Sequence, residues 1–564
     1  MPENTPPAAM LQHLAPGWSP FATTRARAIE LVSWPSETGS PDEVAFAPRL
    51  RDMLLRIPYF RNNPGDVVLL PSHGNPVRHN LVAIVRGAGA QAVALAGHYD
   101  TVATDNYLQE QPLACQPEPL SAALIAALEA GGGDPLALAD LRSGAFLPGR
   151  GMLDMKSGLA AAVAVLERHA ARADRRGTLV LLASPDEERE SRGIRALRAD
   201  LPGLLAERGL EICAAVNLDS TSDQGDGSAG RTVYEGSIGK LAPCALVLGR
   251  PAHAAYPFEG ISAARLGAEV VCAIEAAPAF ADAGGGDLAP PPVALEACAL
   301  RNGYEVTTPA RMWLAFNWLY HSGSAADRLA AFESHVADAL QRACAAHAGA
   351  AQGYAALGGA GAGASPPPRV IRAEALLERL RADPVQAQGF EDLQAALAGD
   401  DNPLAVSCQL MQALADTVGV EGPAAVVGLA SLHYPPVRLD PTDPTDAQAA
   451  RMERALDRLQ AECAEDPQAR FRRRPHFQGI SDMSFMGQRA RPGAGVIAAN
   501  TPAARMIDCP GADAPVFPVV NIGPWGRDFH QRLERVHAVH AFDRLPRVVA
   551  RLADLLLADA APGA

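Results

Sequence analysis

Four runs in the first part of the chain are apolar almost without interruption: NLVAIV within 78–87, AVALAG within 91–100, TLVLLAS within 177–188 and ICAAVNL within 211–221. A strand wet on one face alternates polar and apolar residues, whereas a strand apolar throughout needs cover on both faces. Between the second and third runs lies LDMKSGLAAAVAVLERHAARA (153–173), Ala-rich and helical in pattern. Short buried strands separated by a helix predict an α/β fold, with a central mostly parallel or mixed sheet and helices on both faces.

After Asp219 the texture changes. KLAPCALVLGR (240–250), ISAARLGAEVVCAIEAA (261–277), the strand-like runs VALEACALRNG and RMWLAFNWLYH, and the helical AADRLAAFESHVADALQRACAAHAG give strand, helix, two strands and a helix. That order suits a compact two-layer α+β unit inserted into the larger domain. GGAGAGASPPP (358–368) reads as a linker: its glycines follow no apolar strand and no Lys-Ser pair succeeds them, so it is not a phosphate loop. The predicted organisation is a discontinuous catalytic domain, 1–237 and 371–564, with an inserted lid at 238–370 that ends in this Gly/Pro-rich linker. The region 350–470 reads as extra helices around the catalytic core.

Composition narrows the partners. Hydrophobic residues make up 48% of the 564 and charged residues 20%, a globular balance. The net charge of −14 opposes nucleic acid and anionic membrane surfaces, so neither is an expected partner. No run approaches the ~20 apolar residues of a membrane span, and the first ten residues lack the basic and apolar segments of a signal peptide. Nine cysteines without a CxxC pair fit reduced thiols and a cytoplasmic protein.

The chemistry collects at strand ends, where loops of an open α/β sheet converge. His98 and Asp100 close one apolar run, Asp186, Glu187 and Glu188 follow another, and Asp219 closes a third. Each has a plain structural reading. His98 suits a satisfied strand-end histidine, Asp154 a cap of the Ala-rich helix, and Asp219 a turn. Ser184, Pro185 and Glu187 make a good helix start as N-cap, N1 and N3. Together they favour a metal site, since several independent coincidences are otherwise needed.

GHYDTV (97–102), GRGMLDMKSG (149–158), SPDEERESRG (184–193) and NLDS (217–220) resemble, in order, the motifs of the aminoacylase/carboxypeptidase group of dinuclear zinc peptidases, metallopeptidase family twenty. GRPAHAAYPFEGISAA (249–264) resembles that family's lid histidine motif, and GPWGRDFHQRLERV (523–536) its last metal-ligand motif. The six motifs span most of the chain. GSIGKL, FNWLYHSGS and GISDMSFMG are most similar to the arginine-utilization RocB subgroup.

The resemblance implies a phosphorylase/hydrolase-like zinc-peptidase fold and two divalent cations, zinc or in its place cobalt or manganese. His98 and Glu188 would each be a ligand of one ion, Asp154 would bridge both, and Asp219 and His530 would complete the spheres. Imidazole plus carboxylate without thiolate suits zinc. Asp100 would accept the second N–H of His98 and fix its tautomer, and a cis peptide would follow Asp154. Glu187 is the expected general base, its side chain turned about 100° from that of Glu188 along a helix. His253 is assigned to oxyanion stabilisation from the lid, in its own subunit or in a partner's within a homodimer. Asn317, Ser481 and Asp482 are candidate substrate contacts. His73, His79, His335, His347 and His433 are left as structural or surface residues.

The expected reaction is hydrolysis of an amide bond in a small peptide or N-acyl amino acid, within arginine or ornithine catabolism by the RocB likeness. Two other readings stand beside it: an aminopeptidase acting on free peptide N-termini, and a catalytically silent metal-binding or regulatory member of the fold. The gap between His98 and Asp154 is longer than in the shorter relatives; its insert is long enough to cover the cleft, which bears on substrate size.

Overall fold

In a computed structural model the four apolar runs become the strands His79–Val85, Ala88–His98, Arg176–Ser184 and Glu211–Asn217. They are buried nearly throughout and sit side by side in one eight-stranded sheet. Ala88–His98 runs parallel to both Arg176–Ser184 and Glu211–Asn217. His79–Val85 is antiparallel to Arg176–Ser184 and to the edge strand Val67–Pro71. Beyond Glu211–Asn217 follow Val519–Asn521, Thr232–Tyr234 and Arg472–Arg474. The sheet is mixed and helices pack against it, as expected for the α/β class. The described residues are 14–131, 133–222, 231–284, 286–301, 303–360, 365–400, 402–443, 446–464, 470–488 and 493–558.

The chain divides into two compact units: Met1–Ser237, Val437–Arg489 and Pro510–Ala564 form the first, and Ile238–Pro436 with Ala490–Cys509 the second. In the first, the Ala-rich helix Ser157–Ala171 is buried on every side from Ser157 to Leu166. Its small side chains let it lie between the sheet and the helices Phe21–Val32 and Leu545–Ala558. Gly158 shows how close the approach is: a Cβ there would lie 2.2 Å from the carbonyl oxygen of Leu218. A smaller four-stranded sheet joins Phe146–Pro148, Arg535–His537, Trp525–Arg527 and Thr221–Ser222.

The second unit is built on a six-stranded sheet ordered Gly239–Leu241, Arg311–Tyr320, Pro243–Leu248, Ala424–Leu429 and Arg369–Arg372, with Val293–Ala299 also paired to Arg311–Tyr320. The helices Ala263–Ile274 and Ala325–Ala356 supply its core residues Leu266, Val270, Phe332 and Val336. Here the expected boundary moves. The return to the first unit comes at Val437 and not at 371, and the helices Ala373–Arg381, Pro384–Ala396 and Pro403–Val418 belong to the second unit. The cause is the wholly buried strand Ala424–Leu429, which pairs with Pro243–Leu248 on one side and Arg369–Arg372 on the other. Of the stretch 358–368, residues 361–364 lie outside the described residues. Among the described residues no helix is long and apolar enough to cross a membrane.

Candidate active site

The parallel pairing of Ala88–His98 with its two neighbours puts the carboxyl ends of three adjacent interior strands of the large sheet side by side. His98 Nε2 lies 3.2 Å from Asp154 Oδ1 and 3.7 Å from Asp219 Oδ1. The other oxygen of Asp154 lies 3.1 Å from His530 Nε2, which is also 3.1 Å from Glu188 Oε1. Asp154 therefore joins two donor groups, His98–Asp154–Asp219 and Asp154–Glu188–His530. Glu187 groups with His98 and Glu188. His98, Asp154 and Asp219 are buried, while the His530 side chain keeps 40% exposure.

Two of the plain structural readings do not hold. Asp154 makes no cap to the Ala-rich helix, whose N-cap position is Lys156; its carboxylate faces the two imidazoles. Glu187 and Glu188 do not begin a helix either. Residues 187–190 form a turn between Asp186 and Ser191, both at positive φ, and the helix starts at Arg192. Asp186 locks that turn by accepting from the Arg192 backbone at 3.1 Å and its guanidinium at 2.9 Å. The directions of the two glutamates are set by this turn and not by helical rotation, and both carboxylates reach the same donor group with His98. The peptide bond after Asp154 is cis, as the resemblance implied.

The backbone behind each donor is pinned. The Asp100 carboxylate accepts the Glu187 N–H at 3.1 Å and the Glu188 N–H at 3.2 Å, and the Thr38 hydroxyl donates to it at 2.8 Å. Toward His98 it differs from expectation: Nδ1 lies 3.1 Å from the backbone carbonyl of Asp100 and 3.6 Å from its carboxylate, so the carbonyl is the nearer partner. Asn521 pairs with Asp219 through both ends of its amide, each bond 3.0 Å. A Cβ at Gly523 would fall 1.6 Å from the Asp219 carbonyl oxygen, so only glycine admits that contact. Glu534 accepts the backbone N–H groups of Leu153 and Asp154 at 3.2 and 3.4 Å, and Arg150 holds it at 2.6 Å.

Ser184, at a strand end, donates to Asp482 at 2.9 Å, and Asn217 donates to the Ser481 hydroxyl at 3.2 Å. This brings Ser481 and Asp482, two of the three candidate substrate contacts, beside the strand ends. His253 and Asn317 lie in the second unit. His253 is exposed on the loop after Pro243–Leu248, where Nδ1 accepts from the Ala255 N–H at 3.1 Å. Asn317 sits half-buried on Arg311–Tyr320, opposite Val293. Thr38, Arg150 and Asn521 were not legible as supports, because each acts across a long stretch of chain and none sits in a repeating pattern.

Electrostatics tests whether this set fits cations. Burial lowers the pKa of His530, but Asp154 and Glu188 outweigh it and raise it to about 11. His98 behaves alike: burial opposes charge, yet Asp100, Asp154 and Asp219 hold it well above the usual range. Burial pushes Glu188 up to about 7 and raises Asp219, while the two imidazoles hold Asp154 far below an ordinary carboxylate. Burial also drives Glu187 well up, reinforced by Asp219, Asp482 and Glu188. The acids so outnumber the bases that both imidazoles are drawn to take a proton. A divalent cation in each donor group would displace those protons and satisfy the carboxylates, and the N/O donor chemistry suits zinc. The residues fit two cations.

The chain is similar to known proteins in both sequence and fold. The model of peptidase family M20/M25/M40 matches residues 94–554. The protein YqjN of Bacillus subtilis is 27% identical over 552 residues, covering 96% of this chain and 97% of its own. Protein RocB of the same organism is 29% identical over 315 residues, 55% of each chain. A tripeptidase of Staphylococcus aureus has a similar fold, with a TM-score of 0.50 at 14% identity over 95% of this chain and 99% of its own.

Proposed function

This chain belongs to peptidase family M20/M25/M40, and from that premise we propose that it hydrolyses the amide bond of a small peptide or N-acyl amino acid. The observation that carries the reading is the shared position of Asp154 between two donor groups, with Glu187 beside them. Two bound cations would polarise the scissile carbonyl and acidify the attacking water. Glu187 takes a proton from that water as its oxygen adds to the carbonyl carbon. It then delivers the proton to the departing nitrogen as the C–N bond breaks, leaving a carboxylic acid and an amine.

His98, Asp154 and Asp219 hold one cation in this reading, and Asp154, Glu188 and His530 the other; zinc is proposed, with cobalt or manganese as substitutes. Asp100 acts through the backbone it fixes. His253 is proposed to steady the oxyanion, and Asn317, Ser481 and Asp482 to contact substrate. The RocB likeness supports basic substrates of arginine or ornithine catabolism. Nine free cysteines support a cytoplasmic setting. The strand Val293–Ala299, with Val293 and Leu295 exposed, supports a homodimer through the second unit.

The test is purified protein loaded with zinc and assayed on N-acyl-arginine, N-acyl-ornithine, other N-acyl amino acids and unblocked dipeptides. Turnover of blocked substrates is expected, fastest on the basic ones. Cleavage confined to unblocked peptides makes it an aminopeptidase, and uptake of two cations without turnover on any substrate makes it a silent member of the fold.

A further inference from the structure

The long insert between His98 and Asp154 is built around a core of its own. Its helices Asp105–Leu113, Pro117–Gly131 and Pro135–Ser143 bury Tyr107, Leu120, Leu124, Leu128 and Leu141 against one another. From the rest of the first unit, Leu533 packs onto that cluster, three residues after His530. The insert is thus a separately cored piece fastened to the turn that carries one predicted cation ligand.

That turn needs fastening. Asp528 and His530 both have positive φ, 57° and 63°, in the left-handed region that side chains other than glycine rarely adopt. From its own side the turn is tied by Gln531 N–H to the Asp528 carbonyl at 3.0 Å and by an Arg535–Asp528 ion pair. From the insert, the Asn106 side-chain amide donates to the His530 carbonyl at 2.8 Å. Glu110 accepts from Arg532 at 2.8 and 3.1 Å. The orientation of the Asn106 amide is fixed by Arg150, whose guanidinium donates to Asn106 Oδ1 at 2.7 Å; the opposite end, Nδ2, is therefore the one facing His530. Arg150 is buried, lies 5.0 Å over the Tyr107 ring and also grips Glu534, which holds the Asp154 backbone.

The other donor group is supported differently. His98 sits on a strand of the sheet, and Asp219 is held by Asn521 and the close approach of Gly523. The insert's bonds through Asn106 and Glu110, and those that Asp140 accepts from Arg527 and Arg535 on either side of the turn at 2.6 and 2.9 Å, go to the His530 side, while Glu118 pairs with Arg25.

We propose that the 105–143 insert is a clamp, with Asn106 and Glu110 as positioning residues, that sets cation affinity at the Asp154–Glu188–His530 half of the site while leaving the His98–Asp154–Asp219 half alone. The insert's contribution is to hold the imidazole of a half-exposed, left-handed residue where Asp154 and Glu188 can share its cation. Asn106 touches neither substrate nor cation; it acts through the His530 backbone. The inference rests on the two-cation reading above.

The experiment titrates metal-free, full-length protein with Zn2+ against a competing chelator and repeats it with Co2+, whose visible spectrum reports each coordination environment. Wild type is expected to take up two cations and His530→Ala to lose one. Asn106→Ala is expected to weaken one cation by about 10- to 100-fold, the range for partners that orient a ligand, with the other unchanged. Asn106→Asp, which keeps the acceptor for Arg150 but removes the donor to His530, should match it. Glu110→Gln, which keeps an acceptor for Arg532, should fall less than Glu110→Ala. Glu129→Gln, in the same insert but paired to Arg142, should bind as wild type does. Hydrogen exchange across 528–534 should quicken in Asn106→Ala. If wild type binds two cations and Asn106→Ala binds both unchanged, or loses both together, the clamp is overturned and the two-cation reading stands. If wild type binds fewer than two, that reading falls and takes the clamp with it.

Discussion

The carboxylate of Asp100 accepts the backbone N–H of Glu187 at 3.1 Å, so the residue that follows the strand-end histidine by two positions also fixes the proposed base. The same carboxylate takes the Glu188 N–H and the Thr38 hydroxyl. One buried acid thus sets the direction of both the base and a predicted ligand. Asp100→Asn replaces an acceptor oxygen by an N–H that must face a donor. A fall of about 10- to 100-fold in kcat is expected, with KM changed less. Thr38→Val removes one of the bonds and should give a smaller loss of the same kind. Steady-state kinetics on both variants checks this; an Asp100→Asn enzyme with wild-type kcat removes Asp100 from the positioning role.

Glu187→Gln keeps the shape of the turn, since its backbone bond to Asp100 is untouched. What it loses is the ability to take and return a proton. Turnover should drop by about 10²- to 10⁴-fold, while metal content measured on the same sample stays at the wild-type value. Loss of metal along with turnover would make Glu187 a ligand and not the base.

Because Asp154 belongs to both donor groups and Asp219 to one, their variants should differ in stoichiometry as well as in rate. Asp154→Asn should lower uptake of both cations, and Asp219→Asn of one. Dialysis of the wild type against chelator should abolish hydrolysis, and added zinc should restore it. Elemental analysis beside the assay decides; equal stoichiometry in the two variants would contradict the bridging position.

Much of this site was legible because strand ends in an α/β sheet converge by topology, so AVALAG ending at His98 and AAVNL ending near Asp219 already announce one place. The turn at Glu187 was not. Ser184, Pro185 and Glu187 carry a sound helix-start signature, but the buried Asp100 carboxylate takes two successive N–H groups and Asp186 binds Arg192, so the helix begins later. Local propensity lost to bonds made across the fold. The domain boundary failed for a related reason: Ala424–Leu429 is plainly a buried strand in sequence, yet its partner Pro243–Leu248 lies far back in the chain. Asn521 was hidden altogether, since nothing near VFPVVNIGP hints that its amide closes on Asp219.

Away from the site, His169 provides a test of acid stability. It is buried on the Ala-rich helix, with Nε2 3.2 Å from the Gly177 carbonyl. Burial lowers its pKa to about 4; the Gly177 carbonyl and Asp554 oppose this, while Arg172 and Arg175 add to it. Between the ordinary value near 6.5 and about 4, the unfolded chain binds a proton that the folded chain refuses. Stability must then rise with pH through that window and fall as the solution is acidified. By pH 5 the loss from this one group is about 2 kcal/mol, and below pH 4 it levels off. His169→Gln keeps a donor for Gly177 and cannot titrate, so the gap in unfolding free energy between pH 7 and pH 5 should narrow by about that amount. Denaturant titrations of both proteins at the two pH values measure it. An identical acid loss in the variant would mean that His169 accepts its proton in the folded state after all, with Asp554 outweighing burial.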